Sequence, residues 1–271
     1  MLAVLTQVGH RKAVTLRRRI SEALKPAVDL VYPPRCPLCG DAIANQDGVC
    51  VDCWSELVIP AKPSCFTCQR PLKGEMLSDD AQCAVCLVSP PKHDGIIAAT
   101  LYNDASRKLI LAFKHGKRIA LADMLGKLVA ARLPELEREH VCIPVPLHRS
   151  RLWMRGFNQA ALLAEVIAKR SGQTALLDGL VRRKRTPALG GVGRKAREKA
   201  LSGSIAIQSK HADRIKGAKV ILVDDVLTSG ATSDACVSAL KRAGAAEVRI
   251  ACFARVLDEA LPPQHQNLPE P

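Results

Sequence analysis

The sequence predicts an α/β protein: a mostly parallel sheet covered by helices, preceded by a small metal-binding module. Three observations carry this. From Ile96 to Ala254, short apolar strand-like runs alternate with helical ones, the order that builds parallel sheets. One of those runs, Val220–Val223, is four consecutive apolar residues, three of them β-branched, as a strand buried on both faces requires. Ahead of them, eight of the 11 cysteines form four CxxC pairs within residues 36–86.

The elements follow in chain order. Residues 1–35 carry a helical stripe at Ala13, Leu16, Ile20, Ala23/Leu24 and Ala27, ringed by Arg11, Lys12, Arg17, Arg18, Arg19 and Lys25. A basic amphipathic helix either lies on a membrane surface or docks on its own domain, and docking is the favoured reading. Pro33-Pro34 ends it. The pairs Cys36/Cys39, Cys50/Cys53, Cys65/Cys68 and Cys83/Cys86 come next, separated by 10, 11 and 14 residues, in a module spanning residues 36–92. Each knuckle offers two thiolates on one face of a tight turn, so two knuckles complete a tetrahedral Cys₄ zinc site. Sequential pairing of the knuckles is simplest, and an interleaved pairing has the same spacing. With four thiolates per ion no position remains for water, so both zinc ions are expected to be structural.

Residues 93–257 hold the sheet. Strands are expected at Ile96–Tyr102, Val141–Val145, Ala175–Val181, Ser204–Ile207, Lys219–Val223 and Glu247–Ala254. Helices are expected at Arg107–His115, Ile119–Leu133, Ala160–Lys169 and Ala231–Gly244, the third almost wholly apolar and hence buried. Cys142, Cys236 and Cys252 fall in apolar patterns and read as core. The Pro-containing tail, 258–271, is expected to be disordered.

Composition narrows the function. A net charge of +14 in 271 residues points to polyanionic partners. Eight Lys or Arg residues stand between Arg182 and Lys199 against Glu198 alone. Pro187, Gly190, Gly191 and Gly193 make that stretch a mobile basic loop, either simply solvated or a flap that closes over an anionic substrate or tracks a nucleic-acid backbone. No apolar run reaches the ~18 residues of a membrane span, and the N-terminus lacks the order of a signal peptide. A cytoplasmic protein with reduced thiols is the expectation. The seven histidines are dispersed, with no metal-ligand pair at helical spacing, and no nucleophile elbow occurs.

Two clusters carry chemistry. The strand at Val220–Val223 is followed by Asp224 and Asp225, then by the turn Thr228-Ser229-Gly230-Ala231-Thr232, then by a helix with Cys236, Val237, Leu240 and Ala243 on one side. A small-residue turn at a helix N-terminus directs backbone N–H groups toward an anion. The two acids repel phosphate but accept hydrogen bonds from a sugar diol. Together they describe a ribose 5-phosphate site. The second cluster is VPLHRSRLWMRGFNQA, Val145–Ala160, which concentrates Arg149, Arg151 and Arg155 in a loop where guanidinium forks suit pyrophosphate. Gly156 permits close backbone approach, and Trp153 and Phe157 either stack on a base or pack.

The segment VILVDDVLTSGAT closely resembles the phosphoribosyl-pyrophosphate (PRPP) motif of type I phosphoribosyltransferases. That resemblance implies that Asp224 and Asp225 hold the ribose 2′- and 3′-hydroxyls while Thr228, Ser229, Gly230, Ala231 and Thr232 wrap the 5′-phosphate. Four CxxC knuckles, then Lys114-His115-Gly116, then VPLHRSRLWMRGFNQ, then VILVDDVLTSGAT resemble the layout of the ComF family over residues 29–256. That family joins zinc ribbons to a phosphoribosyltransferase domain and is linked to DNA uptake in natural transformation. Its resemblance implies that Arg151, Arg155 and Asn158 border the pyrophosphate side of the pocket, with Lys114 near it. One departure stands out. Members commonly carry Thr-x-x-Gln and then Arg-x-x-Asn in the basic loop, whereas here Leu189 follows Thr186 and Ala200 follows Arg197.

Two functions compete on this evidence. In the first, a competence protein binds PRPP, or another ribose 5-phosphate compound, and contacts single-stranded DNA and a competence helicase through its basic face and zinc ribbons. In the second, Mg²⁺ with Arg151 and Arg155 steadies departing pyrophosphate while Asp224 and Asp225 fix the ribose for transfer to a nucleobase-like acceptor. The acid pair, which DNA binding does not need, argues for a working nucleotide pocket. The two substitutions in the basic loop argue against efficient catalytic closure.

Overall fold

The computed structural model describes residues 32–45, 48–74, 78–115, 118–134, 140–183 and 203–257. The N-terminal stripe, most of the basic loop with Leu189 and Ala200, and the tail lie outside those residues. The chain divides into two compact units, 1–51 and 52–271. In the first, Arg35 and Ala42 form an isolated antiparallel bridge across a CxxC turn.

The second unit is built on five parallel strands. They are β1 (Gly95–Leu101), β2 (His140–Pro144), β3 (Thr174–Ala175), β6 (Lys219–Leu227) and β7 (Glu247–Arg255), in the spatial order β1-β7-β6-β2-β3. Between β3 and β6 in sequence, β4 (Leu180–Arg182) and β5 (Ile205–Ile207) form a separate antiparallel pair. The apolar run expected to be a strand buried on both faces is the sheet's centre. Val220, Ile221, Leu222 and Val223 are each fully excluded from solvent.

Short helices α1 (Val51–Ser55) and α2 (Ala84–Val88) belong to the cysteine-rich region. The helix α3 (Asp104–His115) starts where Asn103 and Ser106 cap each other, the Ser106 N–H donating to Asn103 Oδ1 and the Asn103 N–H to Ser106 Oγ. One turn apart, Leu109 and Phe113 are fully buried. The next long helices, α4 (Leu121–Ala130) and α6 (Gln159–Ser171), pack against each other, with α5 (Arg149–Arg155) between them in sequence. The short α7 (Ala212–Ile215) precedes β6, and α8 (Ala231–Arg242) joins β6 to β7. The crossover β2–α6–β3 runs one way along the sheet and β6–α8–β7 the other. Right-handed crossovers therefore put α6 and α8 on opposite faces.

The structure departs from expectation in three places. Ala175–Val181 is not one strand: the chain turns at Leu176–Gly179, where the Gly179 N–H donates to the Leu176 carbonyl, and the two ends join different sheets. The central strand does not stop at Val223 but continues through both acids to Leu227, because β7 still offers a partner there. The arginine-rich stretch after β2 is a helix, α5, rather than a loop.

Close helix packing gives a direct test. A Cβ placed on Gly126 would lie 2.6 Å from Val166 Cγ1 and 2.7 Å from Val166 Cβ, so α4 and α6 touch through the missing side chain. Gly126→Ala is expected to lower stability by about 1–3 kcal/mol despite alanine's better helix propensity. Adding Val166→Ala should recover part of that loss. Equal urea midpoints for wild type and Gly126→Ala would show that the helices are free to separate.

Candidate functional site

The winding of the sheet creates the crevice. β2 and β6 are neighbours, yet the chain leaves their C-terminal ends in opposite directions, which opens a gap where ligands bind in such folds. The last rung between them is the Val145 N–H to the Val223 carbonyl at 2.8 Å. Beyond it, Asp224–Leu227 pairs only with β7. Both acids therefore stand on an ordered strand with one side open.

Consecutive strand residues leave on opposite faces, and the two carboxylates have different neighbours. Asp225 reaches Lys114 at the end of α3, with Lys114 Nζ 3.1 Å from its Oδ2. Asp225 Oδ1 accepts the Val226 N–H at 2.8 Å. On the other face, Asp224 Oδ1 accepts the Asp225 N–H at 2.9 Å, and its charge adds to burial in pushing up the Cys236 thiol of α8. Burial, with the Asp225 charge beside it, raises the Asp224 carboxyl itself to about 7, against the pull of Lys114. Such a group changes charge near neutrality and is poised to exchange a proton or accept one from a hydroxyl.

The turn after β6 is shaped for an anion. Gly230 takes the left-handed conformation with φ 75°, which an L side chain strains to adopt. It is the N-cap of α8, and no side chain caps that end. A helix N-terminus whose N-cap residue brings no side chain of its own is suited to an anion. Thr228 and Ser229 are exposed, and Ala231 and Thr232 are half-buried at the mouth. Asp234 N donates to the Gly230 carbonyl at 2.7 Å, fixing the turn's shape.

The segment after β2 borders the crevice on the other side. His148 caps α5 by accepting the Ser150 N–H on Nδ1 at 3.3 Å. Gly156 ends α5 with φ 81°, and nothing lies within 4 Å of the place its Cβ would take. Its requirement is backbone handedness, not close approach. Asn158 is engaged structurally: Oδ1 caps α6 through the Ala160 N–H, and Nδ2 donates to the Val145 carbonyl at 3.1 Å, tying the loop to the end of β2. Phe157 packs on Phe113 with ring centroids 6.1 Å apart, whereas Trp153 is 91% exposed. Arg151 and Arg155 lie half-buried on α5. Arg182, the last residue of β4, lies near enough to α8 for its charge to bear on Cys236.

The cysteines gather in two sets, Cys36/Cys39/Cys50/Cys53 and Cys65/Cys68/Cys83/Cys86, each with all sulfurs within 4.8 Å of one another. That is the sequential pairing. The two sets start with the same turn. The N–H of Cys36 donates to the Asp41 carbonyl and that of Gly40 to the Cys36 carbonyl; Cys65, Arg70 and Gln69 repeat the pattern. Gly40 and Gln69 both have positive φ, 85° and 55°, so the knuckle needs a left-handed residue after its second cysteine.

The donor set fits zinc. Burial disfavours the Cys36 and Cys65 thiolates, but backbone N–H groups aimed at their sulfurs outweigh it and bring the pair to about 6 and about 7. Sequence reasoning missed Arg255, whose Nε and Nη1 are buried with no hydrogen-bond partner. Burial pushes the Cys68 thiol up, and the Arg255 charge opposes this. A tetrathiolate around a divalent ion carries excess negative charge, and a buried guanidinium at the end of β7 answers it. Nothing in the pattern around Arg255 marks it; only the sheet register brings it there. Burial and the Arg255 charge also lower neighbouring His93 to about 4, keeping it neutral.

Comparison with known proteins agrees with both parts. The sequence matches the double zinc ribbon domain over residues 27–87 and the phosphoribosyl transferase domain over residues 160–268. It is 28% identical to competence protein F of Haemophilus influenzae over 221 residues, covering 76% of this chain and 96% of that protein. It is 27% identical to DNA utilization protein YhgH of Escherichia coli over 235 residues, covering 84% of this chain and all of that protein. Competence protein ComFC of Bacillus subtilis is 27% identical over 217 residues, covering 73% of this chain and 84% of that protein.

Two measurements test these centres. Native mass spectrometry should find two zinc ions per chain, and Arg255→Met should weaken zinc at one of them by roughly 10- to 100-fold in chelator competition. Equal loss at both sites, or none, would remove Arg255 from the metal's surroundings. For Asp224, the folded carboxyl titrates near 7 and the unfolded one near about 3.9. The folded state therefore holds an extra proton between those values, and stability falls as pH rises from about 4 to 7. Asp224→Asn should raise stability at pH 8 by on the order of 2 kcal/mol and change it little at pH 4. A pH profile of urea midpoints unaltered by the substitution would mean another group titrates.

Proposed function

Because this chain belongs to the ComF family, we propose that it supports DNA uptake or use, binding PRPP or a related ribose 5-phosphate compound in its sheet crevice and single-stranded DNA on its basic surface. The observation that carries the pocket reading is the Lys114–Asp225 ion pair, set in the crevice between β2 and β6 beside the turn that opens α8. A relic pocket would have no need to hold a carboxylate pair and a lysine together there.

In this reading the ligand's 5′-phosphate lies on the N–H groups of residues 228–232. Asp224 and Asp225 accept the ribose hydroxyl protons, each acid already held by a backbone N–H on one oxygen. Lys114 is shared: Asp225 neutralises it in the free protein, and the pyrophosphate competes for it on binding. Arg151 and Arg155 supply the remaining positive charge from α5. Mg²⁺ enters with PRPP and neutralises part of the pyrophosphate's charge; Asp224 and Asp225 are the carboxylates at hand to orient it. We divide the chain functionally into the 1–35 extension, the 36–92 ribbons, the 93–257 nucleotide domain and the 258–271 tail. The DNA and a competence helicase are its partners, and the cytoplasm is its place of work. Among the described residues no helix is long and apolar enough to cross a membrane.

The acid pair also favours a second reading, active phosphoribosyl transfer to a nucleobase-like acceptor. There the same carboxylates steady the ribose as positive charge grows at C1 and pyrophosphate leaves.

Calorimetric titration with Mg²⁺-PRPP and with an oligo(dT) strand separates these functions. Wild type should bind both. Ala231→Asp places a carboxylate in the phosphate cradle and should abolish PRPP binding with DNA affinity retained. Asp225→Asn should weaken PRPP by about tenfold to hundredfold, the effect of losing one charged acceptor. No heat with PRPP in wild type, or equal affinity in all three proteins, would overturn the pocket reading. Pyrophosphate release on adding a base would favour the transferase.

A further inference from the structure

The helix α5 is anomalous for a domain poor in aromatic residues. None of its seven residues, Arg-Ser-Arg-Leu-Trp-Met-Arg, is buried. Three consecutive large apolar side chains face solvent, with Leu152 42%, Trp153 91% and Met154 62% exposed. Only two tryptophans occur in the chain, and exposing one forfeits the burial that usually justifies it. Phe157, one turn further on, is half-buried and packed against Phe113, so the neighbouring aromatic has been drawn inward while the indole has not.

The charge around this patch is of one sign. Arg149 and Arg151 precede the three apolar residues and Arg155 follows them, and the helix carries no acid. Helical spacing puts Arg149 and Trp153 on one face, four residues apart, with Arg151 and Arg155 on the next. A flat π-face flanked by guanidinium groups is the combination that takes an unpaired base together with the phosphates on either side of it. Duplex DNA hides its base faces and offers the indole nothing.

We propose that α5 is a base-stacking platform for single-stranded nucleic acid, with Trp153 receiving one unpaired base and Arg149 a neighbouring phosphate. The proposal rests on the DNA-binding reading above and gives it a place on the molecule. Trp153 is 91% exposed and is not among the residues assigned to PRPP above, so the platform and the PRPP pocket are tested by different substitutions.

Fluorescence anisotropy with oligo(dT) and with an abasic strand of equal length and charge tests this. Trp153→Ala should weaken oligo(dT) binding by roughly tenfold. It should leave the abasic strand's affinity and PRPP binding unchanged. Trp153→Phe should restore most of the loss. In a Trp54→Phe background, the remaining indole should be quenched by oligo(dT) and not by the abasic strand. Unchanged oligo(dT) affinity in Trp153→Ala would overturn the platform and leave the patch to a protein partner. Equal losses on both strands would also overturn it, since stacking cannot act on an abasic chain. Failure of wild type to bind either strand would overturn the DNA-binding reading itself, and the platform with it.

Discussion

A parallel strand walled in on both faces can carry charge only where a neighbour stops. In β6 the four residues before the acids are fully buried, and the acids follow at once. What allows this is the early end of β2. Pro144 and Pro146 flank Val145, and proline cannot donate to a ladder, so β2 gives out level with Val223. β7 meanwhile keeps β6 extended for four more residues. The carboxylates thus stand on a rigid strand beside an open flank, with α3 presenting Lys114 on one face and α8 its N-terminus beyond the turn. Rigidity and access, which usually oppose each other, are combined by two neighbours of unequal length.

The second cysteine set is part of the same construction. β1 is an edge strand, and an edge exposes a row of unpaired N–H groups. Here the ribbon covers that row. Ile96 N donates to the Thr67 carbonyl at 3.0 Å, Ala98 N to Gln69 Oε1 at 2.7 Å, and Leu101 N to the Val58 carbonyl at 2.7 Å. Cys65, Cys68, Cys83 and Cys86 share one buried cluster with Ile96, Ala98, Ile250 and Cys252 of the sheet. The left-handed Gln69 therefore has two duties, shaping the knuckle through its backbone and closing the sheet edge through its side chain.

Features governed by local chemistry were legible in the sequence. The four CxxC turns, the apolar run of β6, its two acids and the small-residue turn all announce themselves by spacing, and the structure brings Lys114 and these acids to one crevice. What escaped depended on register. The extension of β6 to Leu227 is set by β7, the turn at Leu176–Gly179 by competition between two sheets, and the place of Arg255 by its pairing opposite Leu227 and Leu101. The helical form of α5 was hidden by its composition, since a helix that buries nothing shows no periodic stripe. Gly156 and Asn158 were read for chemistry, and the structure gives them capping work.

The sheet's wiring also fixes an order of events. β1 bonds on its inner side to β7, and the Val248 N–H meets the Asp94 carboxylate, 154 positions away in sequence. During synthesis β1 emerges early and must wait for the last strand, holding a β-rich, apolar segment without its partner through most of translation. Contacts of such long range form slowly and leave unpaired strands open to association. The ribbon that borders β1 is made just before it. Its contacts with β1, such as Ile96 N to the Thr67 carbonyl, close a far shorter loop than those with β7, so the outer side of β1 costs less entropy to pair first. In that light the cysteine module gives the first strand a partner close in sequence, where the sheet gives it only a distant one.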